Sequence, residues 1–241
     1  ASMPHVPYGS LRKKLLKLVC EISYRYSSIL LPVSKSLIHT ENDYNDKYIC
    51  QGINYHFPSC RTKIKVLHNG LDIAFWSPRS YTNKESNRFI SVFSENQFIL
   101  KGGDLILSLA EQYPNYNFYI AGTKKPRYID KKVNNVHFLG RLTREELREE
   151  YRNSTFHLQL SMFEGFGLSL CEAMLCECIP IGSSVNIIPD IIGYSGFVLD
   201  KKDINQLIKI VDKATALHNK AKLGANARRQ ILTNYPISKR E

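Results

Sequence analysis

The sequence has no apolar run that approaches the roughly 18 residues of a membrane-spanning helix. It also has no internal repeat and no low-complexity segment, so neither a repeat protein nor a disordered chain is indicated. The first ten residues lack the apolar stretch of a secretion signal. Hydrophobic residues make up 43% of the 241 residues, which is enough for a sizeable core. We therefore expect a folded protein that resides in the cytoplasm.

Sequence patterns for metals and disulfides are missing as well. The six cysteines include no C-x-x-C pair, and no histidine follows a cysteine at the spacing of a zinc finger. Cys176 and Cys178 are too close together to form a metal knuckle. We interpret all six cysteines as reduced thiols with structural roles, which agrees with a cytoplasmic location.

The chain has an excess of positive charge, with a formal net charge of +11. The excess is densest in residues 1–80, where 11 lysines and arginines stand against 5 acidic residues. Such a surface favours anionic lipid, a phosphate-bearing substrate or nucleic acid, or it is simply a solvated basic face. No RNP, helix-turn-helix or zinc pattern is present, so we expect no nucleic-acid partner.

The first part of the chain begins with an amphipathic pattern. Residues 11–28 carry apolar side chains at helical spacing and a basic face that includes Arg12, Lys13, Lys14 and Lys17. This pattern predicts a helix that either binds an anionic membrane surface or packs in a domain. The other elements predicted before residue 75 are a strand at 29–34, a helix near 35–48 and a strand at 63–70 that ends in an Asn-Gly turn.

After residue 88 strands and helices alternate regularly, which predicts an α/β fold: a Rossmann-like, doubly wound parallel sheet. Thr143 and Glu146 match a capping box at the start of one helix, and Asp203 is placed to cap another. Ligands in such sheets bind at the carboxyl ends of strands. The predicted strands are 88–94, 117–122, 136–140, 156–161, 178–184 and 197–200, and the predicted helices are 103–114, 143–152, 168–177, 203–215 and 218–233.

The most informative stretch is SMFEGFGLSLCEAM at 161–174. Gly165 and Gly167 permit a tight turn, and a helix begins near Leu168, so its free amide groups form a site suited to a diphosphate. Glu164 precedes this turn and Glu172 lies about one helical turn beyond it. Carboxylates accept hydrogen bonds from hydroxyl groups. Two of them beside a diphosphate site suit a nucleotide sugar, which has a ribose on one side of the diphosphate and a sugar on the other.

This stretch resembles the E-x7-E motif of retaining GT-B glycosyltransferases, especially glycosyltransferase family four. The resemblance covers roughly residues 25–235 and implies the C-terminal half of a GT-B fold. It also implies domain limits: residues 1–75 as the remainder of an N-terminal acceptor-side Rossmann-like domain, 76–87 as a linker and 88–241 as the nucleotide-sugar-binding domain. The matching segments are KVLHNGLD (65–72), Lys101-Gly102, VHFLGRLTREEL (136–147), SMFEGFGLSLCEAM (161–174) and IIPDIIG (187–193).

The resemblance also implies roles for individual residues. Glu164 would bind the donor sugar at the reacting centre, and Lys101 would neutralise the diphosphate as it leaves. Glu172 would bind the ribose hydroxyls, while the loops after two other strands would border the base. The donor-binding residues implied are Gly122, Thr123, Arg141, Leu142, Gly165, Phe166, Gly167, Leu168 and Glu172. No D-x-D motif is present, so no metal is expected to hold the donor.

Three positions depart from the family pattern. The family usually has an arginine shortly before its Lys-Gly pair, and here Glu95 and Asn96 stand near that position. Glu177 stands near the usual glycine after the motif helix, and His68 replaces the usual proline. The resemblance therefore implies a diphosphate clamp with one cation fewer.

The resemblance thus implies a retaining hexosyltransferase of polysaccharide biosynthesis, which takes sugar from a nucleotide-diphosphate donor without a cofactor. Its acceptor would be a glycan or a lipid-linked glycan, at the inner face of the membrane if residues 11–28 bind lipid. The alternative is a non-catalytic nucleotide-sugar-binding module that needs a partner chain for activity.

Overall fold

The computed structural model describes residues 10–79, 84–126, 129 and 133–240, and for Ser10, Leu11 and Lys13 it describes the backbone alone. Among the described residues, no helix combines the length and the apolar character needed to cross a bilayer. The helices are α1 (Ser10–Tyr26), α2 (Ile53–His56), α3 (Gly103–Gln112), α4 (Arg144–Asn153), α5 (Leu168–Leu175), α6 (Ile188–Ile192), α7 (Ile204–Thr215) and α8 (Lys220–Asn234).

The largest sheet has six parallel strands: β5 (Glu85–Val92), β6 (Asn117–Ala121), β7 (Val136–Gly140), β8 (Ser154–Gln159), β9 (Ile179–Ser183) and β10 (Phe197–Leu199). Their order across the sheet is β7-β6-β5-β8-β9-β10. The chain adds β6 and β7 on one side of β5, and then returns to add β8, β9 and β10 on the other side. This order is that of a doubly wound fold, so the predicted fold class is confirmed.

Helices cover both faces of this sheet because successive strand residues point to opposite sides. Phe89 packs in the cluster formed with α3 and α7, whereas Ile90 packs in the cluster formed with α4, α5, α6 and α8. The strand register also aligns three aromatic rings on one face. Phe89 pairs with Phe118 and Phe156 on the two neighbouring strands, and its ring centroid lies 5.0 and 4.7 Å from theirs. The core is therefore centred on β5.

Two helix starts form as their sequences predict. Thr143 accepts a hydrogen bond from the Glu146 amide, and the Glu146 carboxylate accepts one from the Thr143 amide, which completes the capping box. Asp203 accepts a hydrogen bond from the amide of Gln206 at the start of α7. These bonds satisfy backbone donors that a helix start leaves free.

The helix predicted near 35–48 is wrong. Residues Lys35–Leu37 form a single 3-10 turn, and β2 (Thr40–Asn42) and β3 (Ile49–Gln51) then pair as an antiparallel hairpin. Asp43 and Asp46 close a tight turn between the two strands, with a 3.1 Å hydrogen bond from the Asp46 amide to the Asp43 carbonyl. Asp and Asn favour such turns over a helix interior because their side chains compete for backbone groups.

The two strands predicted at 29–34 and 63–70 are confirmed only at their first residues. They form a short parallel pair of β1 (Ile29–Leu30) and β4 (Lys63–Ile64). The predicted linker at 76–87 overlaps the start of β5, and its residues 80–83 lie outside the described residues. The division of the chain into an acceptor-side domain and a donor-side domain stays a prediction.

The N-terminal segment is anchored in the core of the six-stranded sheet. Tyr44, at the tip of the β2–β3 hairpin, is 1% exposed and belongs to the cluster around Phe89. Its carbonyl accepts a 2.7 Å hydrogen bond from the Lys202 amide, and Asp43 forms an ion pair with Lys201. The hairpin is therefore held by the sheet that follows it in sequence.

The six cysteines are all free thiols, as predicted, and they divide into two groups of three. Those of the first group are partly exposed in the N-terminal segment, at Cys20, Cys50 and Cys60. Those of the second are fully buried under the sheet, at Cys171, Cys176 and Cys178. Burial raises the pKa of Cys176 to about 12, so this thiol stays protonated at neutral pH.

Glu177, which stands near the family's usual glycine, has a left-handed backbone with φ of +64°. This conformation costs a non-glycine residue about 1–2 kcal/mol. Glycine avoids that cost, but it loses more backbone entropy on folding, which offsets part of the stabilisation. We predict that Glu177→Gly raises the free energy of unfolding by about 0.5–1 kcal/mol in urea denaturation. Lys209→Gly, on the exposed face of α7, should lower it by about 1 kcal/mol. A loss of stability with Glu177→Gly would contradict the backbone assignment.

Candidate functional site

The site lies where the sheet changes direction, at the carboxyl ends of β5 and β8. These strands are neighbours, but their chains continue to opposite faces, which leaves a crevice for ligands. The two loops that follow them are joined by a 2.8 Å hydrogen bond from the Met162 amide to the Leu100 carbonyl. Gly102 has φ of +75°, and a Cβ there would lie 2.6 Å from the Leu160 carbonyl oxygen. Glycine at this position lets the first loop approach the second.

Lys101 and Glu164 face each other across this crevice. The Lys101 Nζ lies 2.7 Å from Glu164 Oε2, and the side chains are only 15% and 13% exposed. An ion pair with so little exposure is screened weakly by solvent, and loss of one partner would leave the other charge largely buried. The structure thus brings together the two residues that the sequence singles out as catalytic.

Three further groups fix the position of Glu164. Gln159 Nε2 donates a 2.7 Å hydrogen bond to the same carboxylate oxygen that binds Lys101, and the Gly165 amide donates one of 3.1 Å to the other oxygen. The Glu164 amide itself donates to Asn186 Oδ1 at 3.0 Å. Both the side chain and the backbone of Glu164 are therefore held in one orientation.

The amide of Gln159 is oriented by its own buried neighbours. Its oxygen accepts a hydrogen bond from Ser169 Oγ at 3.1 Å and lies 3.2 Å from His157 Nε2, while its nitrogen also donates to Ser161 Oγ at 2.9 Å. Burial lowers the pKa of His157 to about 4, so the ring is neutral at physiological pH and donates from Nε2. Among the described residues, His157 therefore contacts the site only through Gln159.

The start of α5 offers free backbone donors beside this ion pair. Its N-cap, Gly167, has φ of +89°, and among the described residues no side chain caps its first amides. The first turn contains no acidic residue. A Cβ built on Gly165 would meet nothing within 4 Å, so the loop before the helix faces open space. This end of the helix can therefore bind an anion such as a diphosphate.

Glu172 lies on the same helix but in a different environment. Its carboxylate forms no hydrogen bond within the part of the chain that the structure describes. Burial raises its pKa to about 7, and the nearby charge of Arg144 opposes that shift. Glu172 is half-buried, and a carboxylate without a hydrogen-bond partner among the described residues is available to accept hydrogen bonds from a ligand's hydroxyl groups.

Arg144 connects Glu172 to an aromatic pair that the sequence analysis missed. Its guanidinium carbon lies 4.4 Å from the Phe75 ring centroid and 5.7 Å from that of Trp76, and it approaches Asp72 at 4.0 Å. Arg144 directly follows the helix cap Thr143. Its position at the start of a predicted helix was the only sequence signal that it lies near the ligand edge of the sheet. These side chains border the Glu172 side of the site.

The loops after β6 and β7 lie along the same edge of the sheet. The Gly122 amide donates to the Gly140 carbonyl at 2.7 Å, and the Gly140 amide donates to the Thr123 carbonyl at 3.0 Å. Thr123 is buried and Arg141 is exposed. Leu142 is half-buried, so the predicted base-side residues occupy two loops that are bonded to each other.

Phe166 and Leu168 have different surroundings. The Phe166 side chain is 3% exposed and packs against His68 and Tyr235, with ring centroids 5.8 and 5.5 Å away. The Phe166 side chain thus packs against the N-terminal segment and the C-terminal end of the chain, and only the Phe166 backbone remains available to a ligand. Leu168 is 45% exposed at the start of α5.

Sequence reasoning missed several residues that support the site. Ser34 Oγ donates a 2.8 Å hydrogen bond to the Gly165 carbonyl from a segment 131 residues away. Asn186 has a left-handed backbone with φ of +55° between two apolar stretches. Gln159 is a polar residue at the end of β8, directly before the predicted site loop, and this position was the available signal. The contacts of Ser34 and Asn186 depend on tertiary structure alone.

Comparisons with known proteins give a consistent result. The family model for glycosyl transferases group 1 matches residues 76–230. A phosphatidylinositol N-acetylglucosaminyltransferase subunit of Arabidopsis thaliana is 22% identical over 167 residues, which are 64% of this chain and 37% of that protein. The chain therefore spans little more than a third of this relative.

Two solved structures share the fold. Sucrose-phosphate synthase from Thermosynechococcus elongatus has a TM-score of 0.75 at 16% identity, covering 98% of this chain and 61% of that one. HepE of Anabaena, in complex with UDP and glucose, has a TM-score of 0.72 at 17% identity, covering 99% and 66%.

The raised pKa of Glu172 predicts a dependence of stability on pH. Between the ordinary carboxyl pKa of 4.5 and about 7 the folded chain binds more protons than the unfolded chain, so stability falls as pH rises. We expect Glu172→Gln to be more stable than the parent at pH 8, by up to about 3 kcal/mol, and nearly equal to it at pH 4.5. Glu145→Gln, on the exposed surface of α4, is the control. Urea denaturation at both pH values measures the difference, and equal effects of the two substitutions would contradict it.

Proposed function

Because the chain belongs to the family of glycosyl transferases group 1, we propose that it binds a nucleotide-diphosphate sugar and transfers the sugar with retention to an acceptor. The observation that carries this proposal is the ion pair of Lys101 and Glu164 beside the free amides of α5. A cation and a helix start suit a diphosphate, and a carboxylate suits sugar hydroxyls. The two requirements of a sugar diphosphate are thus met side by side.

Lys101 can bind the diphosphate while it keeps its ion pair with Glu164. An ammonium group has three donors, and the contact with Glu164 Oε2 uses one of them. The remaining donors, with the amides of Gly167 and Leu168, would stabilise negative charge as the bond between sugar and diphosphate breaks. Donors that are already in position cost no reorganisation at that moment. These groups are our reason for proposing a reaction without metal, although the arginine usual near Glu95 and Asn96 is missing.

The acceptor would enter from the side of the N-terminal segment. A cavity of about 350 Å³ lies there, and Asn186 lines it while also holding the Glu164 amide. A group in this cavity would thus be separated from Glu164 by a single side chain. Its wall is largely basic and polar, which fits a hydroxylated or anionic acceptor such as a glycan or a lipid-linked glycan; the lining residues are Lys35, Ser36, His39, Thr40, His68, Asn186, Ile187, Asp190 and Tyr235.

A second candidate function is that of a nucleotide-sugar-binding module that needs a partner chain for activity. Among the described residues, the segment before β5 forms only two-stranded pairs, which leaves room for a partner chain to supply the acceptor side. Both functions predict the same donor site. They differ in whether this chain alone transfers sugar, which a radiolabelled-donor assay with candidate acceptors decides.

The donor site is tested by two substitutions with different expected effects. A thermal-shift panel of UDP-, GDP- and ADP-sugars first identifies the donor. A hydrogen bond to a charged group contributes roughly 1.5–3 kcal/mol, or about ten- to hundredfold in affinity. We expect Glu172→Ala to weaken both the nucleoside diphosphate and the nucleotide sugar by that factor, because both contain the ribose. Glu164→Ala should weaken only the nucleotide sugar.

Calorimetry with the parent and both variants measures these affinities, with Glu145→Ala as the control on an exposed helix surface. If Glu164→Ala weakened the bare diphosphate as much as Glu172→Ala does, the assignment of the two sides would be wrong. If neither substitution changed either affinity, the donor site itself would lie elsewhere.

We also propose that α1 binds an anionic membrane surface, close to a lipid-linked acceptor. Five apolar side chains of this helix are 48–58% exposed, and Lys14 and Lys17 are exposed on the same helix. This combination is typical of helices that lie in a membrane interface. The exposed apolar residues are Leu15, Leu16, Leu18, Val19 and Ile22.

Sedimentation with vesicles that contain anionic lipid tests this proposal. Each lysine near such a surface contributes about 1 kcal/mol, so replacing Lys14 and Lys17 by alanine should lower binding roughly 30-fold. The control replaces Lys209 and Lys213, which are exposed on α7, and should bind like the parent. Absence of binding by the parent at low salt would end the proposal and favour α1 as a helix covered by protein.

A further inference from the structure

The β2–β3 hairpin gathers three potential metal ligands on one face. His39 and Glu41 are two residues apart, so their side chains point to the same side of an extended chain. Cys50 is the cross-strand partner of Glu41 in the antiparallel register. Directly paired residues bring their side chains close together. The register of the hairpin therefore determines the cluster.

The ligand atoms of this cluster lie almost at the spacing that one metal ion needs. His39 Nε2 is 3.2 Å from Glu41 Oε1, Cys50 Sγ is 4.0 Å from the same oxygen, and all three atoms lie within 4.8 Å of one another. A tetrahedral zinc ion, with bonds of about 2.0 Å to nitrogen or oxygen and 2.3 Å to sulfur, would set these separations near 3.3 and 3.5 Å. The first separation is met, and the second needs a shift of about 0.5 Å. The separation of His39 Nε2 from Cys50 Sγ, which is at most 4.8 Å, would close to about 3.5 Å by rotation of the exposed His39 side chain.

We propose that His39, Glu41 and Cys50 bind a zinc ion. A set of one imidazole, one carboxylate and one thiolate is typical of zinc, whereas magnesium and calcium take oxygen ligands alone. The side chains of His39 and Glu41 are 50% and 48% exposed, so an ion reaches them from solvent and a water molecule completes the tetrahedron. Zinc binding replaces the hydrogen bond between His39 and Glu41 and releases the Cys50 thiol proton.

Tyr48 supports this arrangement as a positioning residue. Its hydroxyl donates to Glu41 Oε2, the oxygen that does not face His39 and Cys50. A donor on the outer oxygen orients the carboxylate so that the inner oxygen points at the metal. The cluster therefore has both ligands and an outer partner.

The consequence of zinc binding is a stapled hairpin. The ion would link the residue before β2 to both strands, and His39 and Thr40 also line the cavity beside Glu164. One wall of that cavity would become more rigid. The site is separate from the proposed donor site, whose diphosphate is bound by Lys101 and α5.

Cobalt(II) provides a direct test, because a tetrahedral cobalt thiolate has visible d–d bands and a near-ultraviolet sulfur-to-metal band. The full chain under reducing conditions should develop both on titration with cobalt, saturate at one equivalent and lose them when zinc is added. Cys50→Ser should abolish the sulfur band. Cys60→Ser, which removes another partly exposed thiol outside the cluster, should retain it. Absence of the band in the parent, or its retention in Cys50→Ser, would overturn the proposal.

Zinc affinity gives a second, quantitative measurement. Competition with a chromophoric chelator should show Tyr48→Phe binding zinc roughly 10- to 100-fold more weakly than the parent, as is usual for loss of an outer partner. His39→Ala and Glu41→Gln should lose more than that. Circular dichroism of each variant establishes that it is folded. Equal zinc affinity in the parent, His39→Ala and Glu41→Gln would also reject the site.

Discussion

The ion pair between Lys101 and Glu164 constrains the whole edge of the sheet around it. Both side chains are mostly buried, so each charge needs the other. The pair fixes the loop after β5 against the loop after β8, and the second loop leads directly into α5. Gln159 and Asn186 then align the side chain and the backbone of Glu164. The charged groups are therefore held in a fixed arrangement, which is the condition for electrostatic stabilisation at low reorganisation cost.

The same loop is also held from the N-terminal segment, which contributes little to the sheet. Ser34 binds the Gly165 carbonyl, and His68 packs on the Phe166 ring. Tyr44, at the tip of the β2–β3 hairpin, is buried in the core around Phe89. The loop that bears Glu164 thus rests on residues that precede it by about a hundred positions or more. Changes in this segment reach the site through contacts and not through the sheet.

Much of this architecture was accessible from sequence because it depends on local rules. The alternation after residue 88, the caps at Thr143 and Asp203, and the glycine turn beside Glu164 all follow from periodicity and local hydrogen bonding. The hairpin at 40–51 was missed because its pairing joins residues across a turn, and the short apolar stretches also fit a helix. That error hid the cluster of His39, Glu41 and Cys50, since on a helix the first two would not share a face.

Other properties of the site depend on packing that no local pattern records. The raised pKa of Glu172 follows from burial under the surrounding loops, and the residue spacing alone shows only that it lies on the helix. Asn186 and Ser34 acquire their roles by contact with a distant loop. Glu177 is the converse case, because its departure from the family's glycine coincides with a left-handed backbone.

Because three cysteines are partly exposed and three are buried, the rates of thiol modification report on local opening of the fold. An alkylating reagent modifies the partly exposed Cys20, Cys50 and Cys60 at rates set by the reagent and by thiolate content. The buried thiols at 171, 176 and 178 are modified only in molecules whose α5 layer has separated from the sheet. Mass spectrometry of the number of labels over time therefore yields two kinetic phases. The slow phase measures how often α5, the helix proposed to bind the diphosphate, detaches from the sheet.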